Sequence, residues 1–373
     1  MKDNKIILLF LISTLAQFPL TTMRFILPIY AKNVGASIFT LGIMGSAYGL
    51  VYIVLASYFG RISDRVGQKS LMVSGLLLYA AVISIYFFIK IPDYFILGRA
   101  MEAVAMAMVW PSMEAYAHGI NARNRETSLL VYTFSWSIAA TVAPYFAAFM
   151  IQDLYYLPLA IAMILSVFGA LTTLKIPARI QSTEFIDTLK YNTFFDLALP
   201  IFIYGFVSAI VSSFYPVFGK VIMLGISNTG LIMSISSAFL ILAFFISWAL
   251  TKKMNIRILS LTGLILQVFI LFLYLYHSFW VQLLIMAMIG FGQGFIYFNV
   301  LLSVYRSFNA RVASKTGIFE SSIGAGFVAG PIIAGIPTAL GYAFPWIVAA
   351  AGAFIIAVIY LFAFLKVVNK NNK

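Results

Sequence analysis

The sequence predicts an all-α, polytopic integral membrane protein whose 12 transmembrane helices form two six-helix repeats. Three observations carry this expectation. Of 373 residues, 63% are hydrophobic and only 9% are charged, against about 45–50% and about 25% in an ordinary soluble domain. So few charges cannot cover that much apolar surface in water. The apolar residues fall in long runs divided by short polar intervals, and one pattern of small residues around a proline occurs twice at a fixed offset. With no cysteine, thiolate-based metal centres are excluded, two histidines leave little for a histidine-rich one, and neither metal nor cofactor is expected.

The runs lie at 6–31, 38–59, 70–90, 94–117, 127–150, 154–174, 195–219, 227–250, 257–276, 279–305, 314–340 and 344–366. Each is long enough to cross about 30 Å of hydrocarbon at about 1.5 Å per residue. Twelve spans of about 20 residues use about 240 and leave about 133 for loops and tails, which excludes a large soluble domain. The first run is too long for a signal-peptide core and holds Arg24, so it reads as a retained span. The net charge of +13 does not gather on one domain. A membrane accounts for it better than nucleic acid does.

Lys and Arg give the orientation. With the N-terminus inside, 19 fall on inner segments and three, Lys32, Lys90 and Lys220, on outer loops, leaving Arg24 and Arg99 within spans. This bias puts both termini in the cytoplasm of a cell-membrane protein. The longest polar interval follows the sixth span and divides the chain into a bundle at 1–174, a linker at 175–193 and a bundle at 194–373. Within the linker, Phe185, Ile186 and Leu189 recur at helical spacing and predict a short interfacial helix.

The fifth span carries Ala139, Ala143, Pro144, Ala147 and Ala148; the eleventh carries Gly326, Gly330, Pro331, Ala334 and Gly335, each 187 residues later. Duplicated six-span halves are a transporter architecture, with the substrate site expected between them near the midplane.

Five ionisable residues fall within spans: Arg24, Arg99, Glu102, Glu114 and Glu320. Each costs about 2.5–3.5 kcal/mol at the centre of a lone helix, so each needs a partner or a wet cavity. Counting along the helices puts Arg24, Arg99 and Glu102 in the outer-to-middle zone. Glu114 and Glu320 fall near the cytoplasmic face, where a gate network with Arg61, Arg65, Arg123 or Arg125 is expected. No nucleotide-binding loop, HExxH or GxSxG occurs, so an ion gradient or the solute's own gradient must drive movement.

Between the second and third spans stands Gly60-Arg-Ile-Ser-Asp64-Arg65-Val-Gly67-Gln-Lys69. Gly60 permits close packing, Asp64 can accept from backbone N–H groups at a helix start, Arg65 can pair with a carboxylate, and Gly67 allows a tight turn. This segment resembles the signature loop of the major facilitator superfamily, G-x-L-x-D-R-x-G-R-K, with Ile62 and Gln68 as departures. Arg99 with Glu102 is similar to that family's fourth-span motif, with Glu for the usual Gln. The small-residue pattern around Pro144 and Pro331 is similar to its fifth-span G-x-x-x-G-P-x-x-G-G motif, which is better kept in the eleventh span, at Gly326, Gly330 and Pro331; helix packing is its expected role.

The resemblance implies that the first, fourth, seventh and tenth spans line a central cavity. Helical spacing then offers Gln17, Thr21 and Arg24; Arg99, Glu102, Met106, Trp110 and Met113; Tyr204, Ser208 and Tyr215; and Gln293, Tyr297 and Val300. Arg24, Arg99 and Glu102 are the expected charged and proton-coupling groups, with Glu102 as the coupling carboxylate. Gly60, Asp64, Arg65, Gly67, Glu114 and Glu320 are the expected conformational switch. The function expected is secondary transport of a small organic solute by alternating access, proton-coupled, leaning to drug or metabolite efflux, by a monomer. A sugar or metabolite proton symporter is the first alternative, and a non-transporting scaffold or membrane-embedded enzyme the rival from another class.

Overall fold

The computed structural model describes residues 2–120, 125–154, 156–179, 197–251, 253–307, 312–336 and 340–371. These form twelve helical segments and, among the described residues, no strand. In the first half they are α1 (Lys2–Asn33), α2 (Ile38–Val66), α3 (Gln68–Ile85), α4 (Pro92–Ile120), α5 (Arg125–Asp153) and α6 (Leu157–Thr173). The second half holds α7 (Leu199–Val221), α8 (Ile226–Leu250), α9 (Ile256–Leu275, with a 3-10 turn at Phe269–Leu271), α10 (Phe279–Ser307), α11 (Val312–Ala334) and α12 (Phe344–Asn371). Ten are long and apolar enough to cross a membrane. The other two are α6, 17 residues long, and α4, whose apolar run is broken by Arg99, Glu102 and Glu114.

Local chemistry sets the helix ends. Ser37 Oγ accepts the Thr40 N–H at the start of α2, and Asn255 Oδ1 accepts the Arg257 N–H at the start of α9. Gly67, at φ +99°, breaks α2 from α3, a backbone region that L side chains rarely enter. The helix of the eleventh run stops at Ala334, six residues before the run ends, and the sequence carries Pro337 just beyond it, a residue that disfavours helix at the position before it. Prolines sit inside α1, α4, α5, α7 and α11, and at the one in α4 the opposite half makes contact: Thr316 Oγ1 donates to the Pro111 carbonyl at 3.2 Å. The expected helix at Phe185, Ile186 and Leu189 lies outside the described residues.

Pairings in the first half recur in the second. The pairs α1–α5, α1–α6, α2–α4, α3–α4 and α3–α6 match α7–α11, α7–α12, α8–α10, α9–α10 and α9–α12. Detail repeats as well. A Cβ on Gly75 of α3 would stand 2.7 Å from the Ala105 carbonyl of α4, and one on Gly263 of α9 would stand 2.6 Å from the Gly292 carbonyl of α10. Ala105 and Gly292 are 187 residues apart.

Two seams join the halves, α2 against α11 and α5 against α8. Each sets a proline of one half on a glycine of the other: the Pro331 carbonyl would be 2.5 Å from a Cβ at Gly42, and the Pro144 carbonyl 2.7 Å from one at Gly230. Small residues let these backbones meet.

Candidate functional site

The two ends of the molecule are closed by different chemistry. At the end bearing the basic loops, Asp64 at the foot of α2 reaches the first turn of α11. Its Oδ1 accepts the Ala313 N–H at 3.2 Å, and its Oδ2 accepts the Ser314 N–H at 2.9 Å and the Ser314 hydroxyl. These N–H groups have no partner within their own helix, so a carboxylate there satisfies them and the helix dipole together. Gly60 lets α2 lie on the Ala313 carbonyl, where a methyl would overlap it. Arg306 of α10 pairs with Glu126 of α5 at 2.6 Å. Gly67 turns the chain onto Ala178, and Lys69 Nζ donates to the Leu174 carbonyl at 2.5 Å. Arg65 is exposed. At the opposite end the closure is nearly uncharged: Ser46 Oγ donates to the Val328 carbonyl at 2.7 Å, the Tyr145 N–H donates to Ser234 Oγ at 3.1 Å, and Gln152 Nε2 donates to Ser227 Oγ at 2.5 Å.

Between these closures lies a cavity of about 50 Å³. Gln17, Leu20 and Arg24 of α1, Trp110 of α4, Tyr204 of α7 and Tyr297 of α10 supply part of its wall. The rest comes from Tyr48 and Tyr52 of α2, Trp136 of α5, and Glu320, Ile323 and Phe327 of α11. A space of this size admits a few waters but not an organic solute, whose pockets run to about 300–1,000 Å³. A second cavity of about 20 Å³ adjoins Arg24 and Arg99, and a hollow of about 320 Å³ lined by Asn33, Gln152 and Lys220 lies toward the opposite end.

The sequence-derived candidates divide accordingly. Gln17, Arg24, Trp110, Tyr204 and Tyr297 are on the wall. Thr21 stands beside it, accepting from Gln17 Nε2 at 2.9 Å. Met106 is fully buried and Met113 Sδ accepts from Ser13 Oγ at 3.0 Å, so both are consumed by helix packing. Ser208 and Gln293 are half-buried and off the wall. Neighbouring faces of α10 are taken up by α8, through Gly290 and Gly294, and by α9, through Gly292.

Glu102 is also off the wall. It is wholly buried, ion-paired with Arg99 and accepting from Tyr86 Oη at 2.5 Å. Among the described residues, Glu114 and Glu320 are met by tyrosines of the opposite half and not by the expected arginines. Tyr297 Oη of α10 donates to Glu114 Oε1 at 3.0 Å, and Tyr52 Oη of α2 donates to Glu320 Oε2 at 2.6 Å. The depth count treated each helix alone, whereas closure of the halves buries both carboxylates beneath aromatic side chains and away from exposed Arg61 and Arg65. Arg123 lies outside the described residues, as does the side chain of Arg125.

The residues sequence reasoning missed belong to the seam helices α2, α5 and α11. Their signal was present: Tyr48 and Tyr52 at i, i+4, and Ile323 and Phe327 at i+3 and i+7 from Glu320, itself expected in the switch and not on the wall, each mark one helix face. Restricting the wall to four spans hid them.

A sequence model described as Major Facilitator Superfamily matches residues 9–304 and 197–373. Among curated proteins, the chain is similar to Multidrug resistance protein 2 of Bacillus subtilis (strain 168), with 24% identity over 203 residues, 51% of this chain and 50% of that protein. The matched segment thus spans about half the length of that relative. Among solved structures, the nucleoside transporter NupG has a TM-score of 0.71 at 19% identity, covering 97% of this chain and 99% of that one. The human organic anion transporter MFSD10 (TETRAN) has a TM-score of 0.72 at 15% identity, covering 98% and 99%. At these identities the likeness is one of fold.

Proposed function

The chain belongs to the major facilitator superfamily, a family of transporters and not of enzymes, and on that premise we propose that it moves a small organic solute by alternating access, coupled to protons and directed outward as a drug or metabolite exporter. One observation carries the reading: the cavity lies between two repeats whose seams close both ends with contacts made across the halves. Parting one closure while keeping the other exposes the cavity to one side at a time.

The wall supports a ring-bearing solute over a polyol, because it holds seven aromatic side chains and a single amide, Gln17. Placement of the basic loops in the cytoplasm of the cell membrane, with both termini there and a repeat boundary in the 175–193 interval, belongs to the same proposal. The proton carrier is assigned to Glu320, which lies on the wall, while Glu102, closed into its pair with Arg99, serves as a brace.

The test is uptake into liposomes from a panel of labelled organic solutes, with and without a pH gradient. Accumulation that needs the gradient, and that Glu320→Gln abolishes while exchange at equal concentrations continues, supports the reading. Gradient-independent equilibration makes the protein a uniporter, and no flux of any solute favours the scaffold.

A further inference from the structure

The cavity wall carries a cation that no carboxylate among the described residues contacts directly. Among the described residues Arg24 makes no hydrogen bond and no ion pair; its guanidinium is 5.1 Å from the centre of the Phe327 ring and 5.8 Å from that of Tyr48. Ring faces offset part of the charge but accept none of the five N–H donors. The carboxylates that might have paired with it are engaged elsewhere. Glu102 is held by Arg99 and Tyr86, Glu320 accepts from Tyr52, and Glu114 accepts from Tyr297. Trp136 lines the same wall, and its buried indole N–H has no partner among the described residues.

We propose that Arg24, assisted by the Trp136 N–H, is the docking point for an anionic group on the solute, so that the substrate class is ring-bearing organic anions such as aromatic carboxylates and sulfonates. The inference rests on the carrier reading of this cavity and names its substrate class. A fixed arginine fork accepts the two oxygens of a carboxylate or sulfonate side by side. Tyr48 and Phe327, already against the guanidinium, offer faces on which the solute's ring stacks once the seams part. Arg24 borders both the central cavity and the smaller one beside Arg99, whose charge Glu102 balances, so the field an anion meets there is that of Arg24. A cationic solute would meet that same field as a repulsion.

The experiment is titration calorimetry of the full-length protein in lipid nanodiscs with 2-naphthoate, 2-naphthalenesulfonate, neutral 2-naphthamide and cationic 2-naphthylmethylammonium. The two anions are expected to bind about tenfold or more tighter than the amide. Arg24→Gln should reduce that preference to about twofold or less, and Arg24→Lys should keep part of it, because the charge remains and the fork is lost. Trp136→Phe should weaken the anions by a larger factor than the amide, because a hydrogen bond to a charged oxygen is the stronger one, which keeps the proposal testable should Arg24→Gln fail to fold. Tighter binding of the ammonium compound, an unchanged anion preference in Arg24→Gln, or no saturable binding of either anion overturns it. The readout needs no gradient. Anion preference without gradient-driven uptake would sink the coupled-carrier reading alone, and gradient-driven uptake confined to neutral or cationic solutes would sink this one alone.

Discussion

Asp64 ties one half of the protein to the first turn of a helix in the other, and Asn at that position keeps the shape but loses the charge. A charge at a helix start is worth about 0.3–1 kcal/mol, so Asp64→Asn should shift the closed basic end toward opening by roughly two- to fivefold. The chain has no cysteine, so Ser57→Cys, placed in the α2–α11 seam where Ser57 Oγ meets Ser321 Oγ at 2.7 Å, gives a unique reporter. Its alkylation should quicken in the Asp64→Asn background with solute affinity nearly unchanged; lost affinity with unchanged alkylation would place Asp64 in binding instead. Glu102 is read differently. Removing it strands buried Arg99, so Glu102→Leu should cost about 3–5 kcal/mol and lower the thermal midpoint, and adding Arg99→Leu should restore much of it. If the double variant loses gradient-driven accumulation, the pair is more than a brace. The residue types at both places were legible in the sequence. The partners were less so: Ala313 and Ser314 lie 249 and 250 residues from Asp64, and nothing local encodes that meeting.

At the scale of helices, glycine marks where backbones touch, and its position decides what a substitution does. Gly60 of α2 faces the Ala313 carbonyl of the opposite half, whereas Gly290 of α10 faces the Ser236 carbonyl of α8 in its own half. A methyl at either overpacks, at about 1–3 kcal/mol. Gly60→Ala should spend that cost by parting the α2–α11 seam, leaving a folded protein with faster alkylation at Ser57→Cys. Gly290→Ala has no hinge to relieve it and should lower the melting temperature and yield. Equal loss of folding in both would mean the seam is as rigid as the interior of a half. Apolar run length predicted the helices, and the proline-centred pattern marked α5 and α11 as packing helices. Which faces close over the cavity was not readable, because it depends on how two repeats meet and each run was weighed alone. Hence Met106 passed for a wall residue while Tyr48 and Trp136 were overlooked.

The whole molecule is two copies of one bundle, joined by the α2–α11 and α5–α8 seams that the repeat relates. The offset of 187 was visible in the sequence, and it reappears as Ala105 and Gly292, whose carbonyls face Gly75 and Gly263, a pair shifted by one residue from that offset. Which closures hold at once was not visible, since a sequence is compatible with every state of a rocking carrier. The central claim, that the ends open alternately around the cavity, is tested most directly by pulsed electron–electron distance measurements on two spin-label pairs in lipid. One pair joins exposed Ser70 and Met254 at the basic end, the other exposed Phe88 and Tyr276 at the opposite end, each residue replaced by cysteine in a chain that otherwise has none. The account predicts that conditions which lengthen one distance leave the other short, with populations moving reciprocally as pH or solute changes. Two distances that stay fixed, or that lengthen together, would contradict it.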